Sequence, residues 1–150
     1  MQLIPQDSPF NLENNDAYLA WRETKLSRHP HSLDEILVDI KDPFNISDKE
    51  TEQLMDCIGR CNMAIYQLPD SVDQMHDKDF LYQLGKQFGL ASLDHNLYAD
   101  EDAISSLKVT PDKGGKGYIP YTNRPIAWHT DGYYNSGDNQ VRAMLLHCVV

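Results

Sequence analysis

Before residue 90 the apolar residues recur at helical spacing in three stretches. After it they gather in short runs of strand character. In "NNDAYLAWRETKLSR", Tyr18, Trp21 and Leu26 keep helical spacing, and Asn15 or Asp16 is placed to cap the helix. Residues 1–14 are polar and carry Pro5 and Pro9, which predicts an extended lead-in. "HPHS" breaks the first helix. "SLDEILVDIKDP" points two ways: Ser32 with Glu35 has capping-box spacing, whereas "ILVDI" is β-branched and stops at "KDP". A strand over Ile36–Ile40 is the reading adopted.

The next stretch is plainer. Ser47 and Glu50 form a capping box at the start of a helix. Leu54, Ile58 and the Cys57/Cys61 pair fall on or near one face of it, and Asn62 ends it. "MAIYQL" follows as a buried strand closed by Pro69. "DKDFLYQLGKQFG" is a further amphipathic helix with Phe80, Leu81, Leu84 and Phe88 inward, and Gly89 just past its end. Beyond residue 90, "AISSLKVTP" and "YIPY" flank the turn "DKGGKG" as a hairpin. "PIAWHT" and "VRAMLLHCVV" are two more strands. Helices first and strands after predict an α+β fold in a single domain over 1–150, with helices packed on a mostly antiparallel sheet.

Composition narrows the partners. The 150 residues are 41% hydrophobic and 24% charged, with a formal net charge of −10. Nothing basic is available to displace counterions from nucleic acid or to meet an anionic membrane. No run reaches the roughly 18 apolar residues of a spanning helix. The N-terminus lacks the basic and apolar regions of an export signal, so the cytoplasm is the expected location. Three cysteines, Cys57, Cys61 and Cys148, read as reduced thiols.

The candidate chemistry lies in "RPIAWHTDGYYN". On a strand, residues i and i+2 share a face, with Cα atoms about 6.5 Å apart. His129 and Asp131 would then point the same way and meet on one metal ion, while Thr130 points away. One histidine and one carboxylate supply two corners of the facial triad that holds non-haem iron(II); the third corner is a second histidine. Gly132 lets the chain turn beside the metal. The spacing equally suits a strand-end histidine bonded to Asp131 or to the backbone. Tyr133, Tyr134 and Asn135 either line a substrate pocket or close a sheet edge. Arg124 and Arg142 either meet an anionic substrate or pair with carboxylates. Cys57 and Cys61 are read as small core residues, "GGKG" as a hairpin turn, and "ADED" at Ala99–Asp102 as a solvated loop.

"YIPYTNRPIAWHTDGYYN" followed by "VRAMLLHCVV" closely resembles the metal-binding segment of the iron(II)- and 2-oxoglutarate-dependent dioxygenases of the taurine dioxygenase (TauD/TfdA-like) type. The order of elements from about residue 33 is also similar. The resemblance implies a double-stranded β-helix, or jelly-roll, framework. It implies His129 and Asp131 as iron ligands; Tyr133, Asn135 and Arg124 are the substrate-binding candidates by their closeness to the pair and their chemistry. It also implies iron(II) as cofactor, with 2-oxoglutarate and O2 as cosubstrates. The reaction would hydroxylate a small organic substrate and release succinate and CO2. The family's distal histidine and its cosubstrate-binding arginine have no matching position here. His147 is read as a sheet side chain and not as the third ligand. The chain is therefore expected to be the N-terminal portion of such an enzyme, binding iron weakly and turning over poorly alone. The alternative is a complete small α+β binding module in which "HTD" is a structural strand end.

Overall fold

The computed structural model describes residues 4–69, 78–93, 104–110, 119–132, 134–135 and 137–149. By its contacts the chain divides into two compact units, Met1–Gly89 with His147–Val150, and Leu90–Leu146.

The first unit opens with turns where an extended lead-in was expected. Ser8, Asn11 and Asn14 each donate their N–H to the carbonyl three residues back, at 2.9–3.1 Å. Pro9 suits the second position of the Ser8–Asn11 turn, where its fixed φ is an advantage. Helix α1 spans Asn15–Ser27. Its cap is Asn14, one residue earlier than expected, and the Asn14 side chain accepts from the Ala17 N–H at 3.1 Å. The same side chain donates to the Gln6 carbonyl at 2.9 Å, which ties the lead-in to the helix start. No residue of α1 is buried. Trp21 rests on Phe10 and Tyr18, with ring centroids at 5.4 and 5.9 Å.

"SLDEILVDI" satisfies both of its readings in turn. Leu33–Ile36 make one 3-10 turn, and β1 follows over Leu37–Asp39. The Ser32–Glu35 box does not form. Glu35 accepts instead from the His31 N–H at 3.0 Å, and Ser32 makes no capping bond. Ile36, Val38 and Ile40 are buried at alternate positions, so strand periodicity governs this stretch. Helix α2 spans Asp48–Cys61 with the Ser47/Glu50 box complete. It ends at Asn62, which adopts the left-handed region at φ 62°. Strand β2 follows over Ile65–Gln67.

The two strands pair in parallel, with Leu37 opposite Ile65, Val38 opposite Tyr66 and Asp39 opposite Gln67. An antiparallel arrangement was expected, but a helix as long as α2 between two strands carries the chain back to the same end, which is a βαβ crossover. Leu54 and Cys57 of α2 join Ile36, Val38, Ile40 and Leu68 in the core.

Helix α3 spans Lys78–Gln87 and contributes Phe80 and the fully buried Leu84. Burying a leucine of this kind contributes about 2 kcal/mol. Gln87 holds the loop before α2, accepting from the Ile46 N–H at 2.8 Å and donating to the Pro43 carbonyl at 2.6 Å. Gly89 follows the helix at φ 78°, as its position past the end predicts. His147 stacks on Tyr66 with rings 4° from parallel, and its Nδ1 lies 2.9 Å from the Tyr66 hydroxyl.

The second unit departs further from expectation. None of its described residues forms a strand. "YIPY" becomes a 3-10 turn over Ile119–Tyr121, closed by the Thr122 N–H on the Ile119 carbonyl at 2.9 Å. Pro120 favours that turn, because it has no N–H to give to a ladder. The Thr110 N–H donates to the Tyr121 carbonyl at 3.2 Å, which links the two arms of the expected hairpin. The intervening "DKGGKG" lies outside the described residues. The described residues of "PIAWHT" and "VRAMLLHCVV" form no ladder, and Ile126, Trp128, Met144 and Leu146 are exposed. A strand is stable only when a neighbour takes up its hydrogen bonds and covers its apolar face.

Candidate metal centre

His129 and Asp131 sit where the segment from Ile126 meets a turn at Asp131–Gly132. Gly132 holds φ 66°, and an added Cβ would stand 2.5 Å from Val141 Cγ2. Two requirements converge there: a left-handed backbone and no side chain. The Asn135 N–H closes the turn on the Gly132 carbonyl at 2.9 Å. The turn brings His129 Nε2 to 3.7 Å from Asp131 Oδ1. Both side chains are about half exposed, at 48% and 54%.

The other ring nitrogen fixes the tautomer. His129 Nδ1 lies 2.8 Å from the Ala127 carbonyl, and a carbonyl only accepts, so Nδ1 carries the hydrogen. In the neutral ring the Nε2 lone pair then faces the Asp131 carboxylate. Two electron-pair donors facing one another call for a positive charge between them, either a proton on Nε2 or a metal ion. Their separation is less than two metal–ligand bonds of about 2.1 Å each. A backbone acceptor on the far nitrogen is the usual support of a metal-binding histidine. The pair is thus close enough to reach one ion. Among the described residues no group of three or more His, Cys, Asp and Glu side chains is placed to hold an ion.

The other candidates divide. Asn135 is half-buried, and its Nδ2 donates to the Asn139 carbonyl at 2.8 Å, which orients its side chain in the same turn region. Arg124 is exposed, and its N–H donates to Thr122 Oγ1 at 3.2 Å. Tyr134 is exposed, and Tyr133 lies outside the described residues. His147 belongs to the first unit, against Tyr66 and Phe80. It is a packed side chain, as expected, although on no strand of its own. Cys61 Sγ lies 3.3 and 3.2 Å from the Cys57 and Met63 carbonyls, either of which can accept its one S–H, and Cys57 is buried in the core, so both have structural settings. "ADED" lies outside the described residues.

Two participants were not legible in the residues quoted. Ala127 acts through its carbonyl, which any residue supplies, so no side-chain pattern marks it. Val141 constrains Gly132 only through the fold. Compared with protein family models, with curated proteins and with solved structures, the chain matches none.

Proposed function

We propose that His129 and Asp131 are two ligands of a mononuclear iron(II) centre serving 2-oxoglutarate-dependent oxygenation of a small organic substrate, on a jelly-roll framework with a mostly antiparallel sheet. One observation carries the reading. His129 is held through Nδ1–H on the Ala127 carbonyl, and its free Nε2 faces Asp131 Oδ1 at 3.7 Å. The sequence context around "WHTDG" supports iron over other ions, by the resemblance described above. Bound iron(II), with 2-oxoglutarate and O2, supplies the oxidising chemistry.

The chain's own residues do the rest. The Ala127 carbonyl holds Nδ1–H, which leaves Nε2 as the coordinating nitrogen and fixes the plane of the ring. Asp131 adds one negative charge against the metal. Gly132 lets the chain turn immediately after the second ligand. Asn135, oriented by Asn139, and the exposed cation Arg124 are the proposed substrate contacts in this unit, together with Tyr133.

Anaerobic titration of the chain with cobalt(II) or iron(II), followed by quenching of Trp128 fluorescence, tests the proposal. Trp21→Phe removes the only other tryptophan from the signal. Saturable quenching is expected, with affinity lowered at least tenfold in both His129→Ala and Asp131→Asn. Added 2-oxoglutarate should tighten metal binding. Equal affinity in wild type and His129→Ala would return the pair to its alternative, a proton-bridged strand end in a binding module.

A further inference from the structure

β1 offers one edge to β2 and the other to a groove. The Ile40 N–H donates to the Gln67 carbonyl at 2.9 Å, and main-chain groups of alternate residues on a strand point to the same neighbour. Val38 and Ile40 therefore address β2, while Leu37 and Asp39 turn their N–H and C=O groups the opposite way. Beyond each end of this pair, α2 supplies a partner. Arg60 Nη2 donates to the Glu35 carbonyl at 2.6 Å, and the Glu50 carboxylate accepts from the Lys41 N–H at 2.8 Å. Between those two stops, the outward groups of Leu37 and Asp39 meet no partner among the described residues.

The groove beside this window has a volume of about 520 Å3. Leu37 and Val38 line it from the strand, and Lys49, Gln53, Asp56 and Arg60 from one stripe of α2. β2 contributes nothing to its lining. Leu37 is 38% exposed there. Four carboxylates, of Asp34, Glu35, Glu52 and Asp56, face two cations, Lys49 and Arg60. Arg60 is already engaged, with Nε 3.0 Å from Asp56 and Nη1 3.9 Å from Glu35. Asp34 and Glu52 carry charge that no ion pair among the described residues takes up.

We propose that this groove takes a short extended segment of a partner protein, which adds a strand to β1 and presents lysine or arginine to the α2 side. The unpaired main-chain groups require an extended occupant, because only a strand answers a row of N–H and C=O groups at this spacing. The stops at Glu35 and Lys41 limit it to about three paired residues, since strand residues repeat every 3.3 Å or so. The carboxylates select a basic occupant and reject an acidic one. The half-exposed Leu37 favours an apolar residue between the basic ones. So few hydrogen bonds, exchanged against water, make the complex weak and salt-dependent.

The probe is a blocked peptide, Lys-Val-Lys-Val-Lys, titrated into the isotope-labelled full chain and followed by amide chemical shifts. Saturable shifts are expected at Leu37 and Asp39. Binding should weaken at least fivefold with backbone N-methylation of the peptide, with Asp34→Asn/Glu52→Gln, or with Glu-Val-Glu-Val-Glu as the probe. Raising the salt should weaken it several-fold. Absence of shifts at Leu37 and Asp39 overturns the proposal, as does equal binding by the acidic or the N-methylated peptide. Shifts at those amides that appear on concentrating the chain alone would assign the edge to a second copy and overturn it as well.

Discussion

The Lys25 ammonium sits on the C-terminal end of α2, donating to the Gly59 carbonyl at 2.9 Å. It also reaches the Arg60 carbonyl at 3.3 Å and Asn62 Oδ1 at 3.1 Å. Helix ends leave carbonyls without partners inside the helix and carry partial negative charge. One side chain of α1 answers both needs of α2. α1 buries none of its own residues, and among the described residues this contact and the pair of its C-cap Arg28 with Asp56 at 3.6 Å are its polar links to α2.

Lys25→Met keeps the aliphatic stem and removes the ammonium. The expected loss is about 1 kcal/mol of stability. Hydrogen exchange should quicken across Asn15–Ser27 more than across β1, which distinguishes release of α1 from general weakening. Uniform quickening would show that α1 is held by something other than this ammonium.

Glu50 sets the response to acid. The Ser47 hydroxyl, then the Lys41 N–H and the Ser47 N–H, donate to its carboxylate and lower its pKa from 4.5 to about 2. A folded-state pKa below the unfolded value means that the carboxylate stabilises the fold fully above pH 4.5. That contribution declines as pH falls from 4.5 and is gone below about 2. Glu50→Gln should therefore be less stable than wild type at neutral pH, and the two denaturation curves should converge near pH 2. A constant gap across that range would mean that the charge is not the stabilising element.

Gly132→Ala tests the turn that brings the two proposed ligands together. The left-handed backbone costs a non-glycine residue about 1–2 kcal/mol, and the contact with Val141 adds to it. Adding Val141→Ala removes the Cγ2 contact but leaves Val141 Cβ at 2.8 Å, so it should recover only part of the steric cost and none of the backbone cost, read as a coupling in a double-mutant cycle. Metal affinity should fall in Gly132→Ala and recover in part in the double variant.

Tyr66 gives the alkaline counterpart. Its burial pushes the phenol up from 10.0 to about 12, so the folded state holds the proton where the unfolded state has lost it. The Tyr66 contribution to stability should be flat below pH 10 and fall between 10 and 12. Tyr66→Phe should remove that fall. It should also loosen His147, whose Nδ1 loses its hydroxyl partner, seen as faster exchange near the end of the chain.

What the residues foretold depends on how local each signal is. The Ser47/Glu50 box, the left-handed Asn62 and the alternation of Ile36, Val38 and Ile40 act within a few residues, and each stands where the pattern placed it. Asn14 took the cap from Asn15 because Gln6, outside the helix, also binds its side chain. The parallel pairing of β1 with β2 left no mark in either strand, because direction is set by what lies between two strands. The runs after residue 90 have strand composition, but ladder bonds depend on a neighbour, and composition does not name one. For the candidate site, the spacing of His129 and Asp131 left two readings open and the surrounding residues singled the pair out by resemblance; the carbonyl that orients the ring left no mark in the sequence.

Glu50 has one more consequence. In βαβ units the first turn of the crossover helix is where phosphates commonly settle, drawn by free N–H groups and the helix dipole. Here the helix brings its own anion. The Ser47 hydroxyl and N–H, with the Lys41 N–H from the loop before the helix, hold a carboxylate from its first turn. An anion drawn to the start of α2 would meet a carboxylate already seated there, so the turn that starts the helix also guards it.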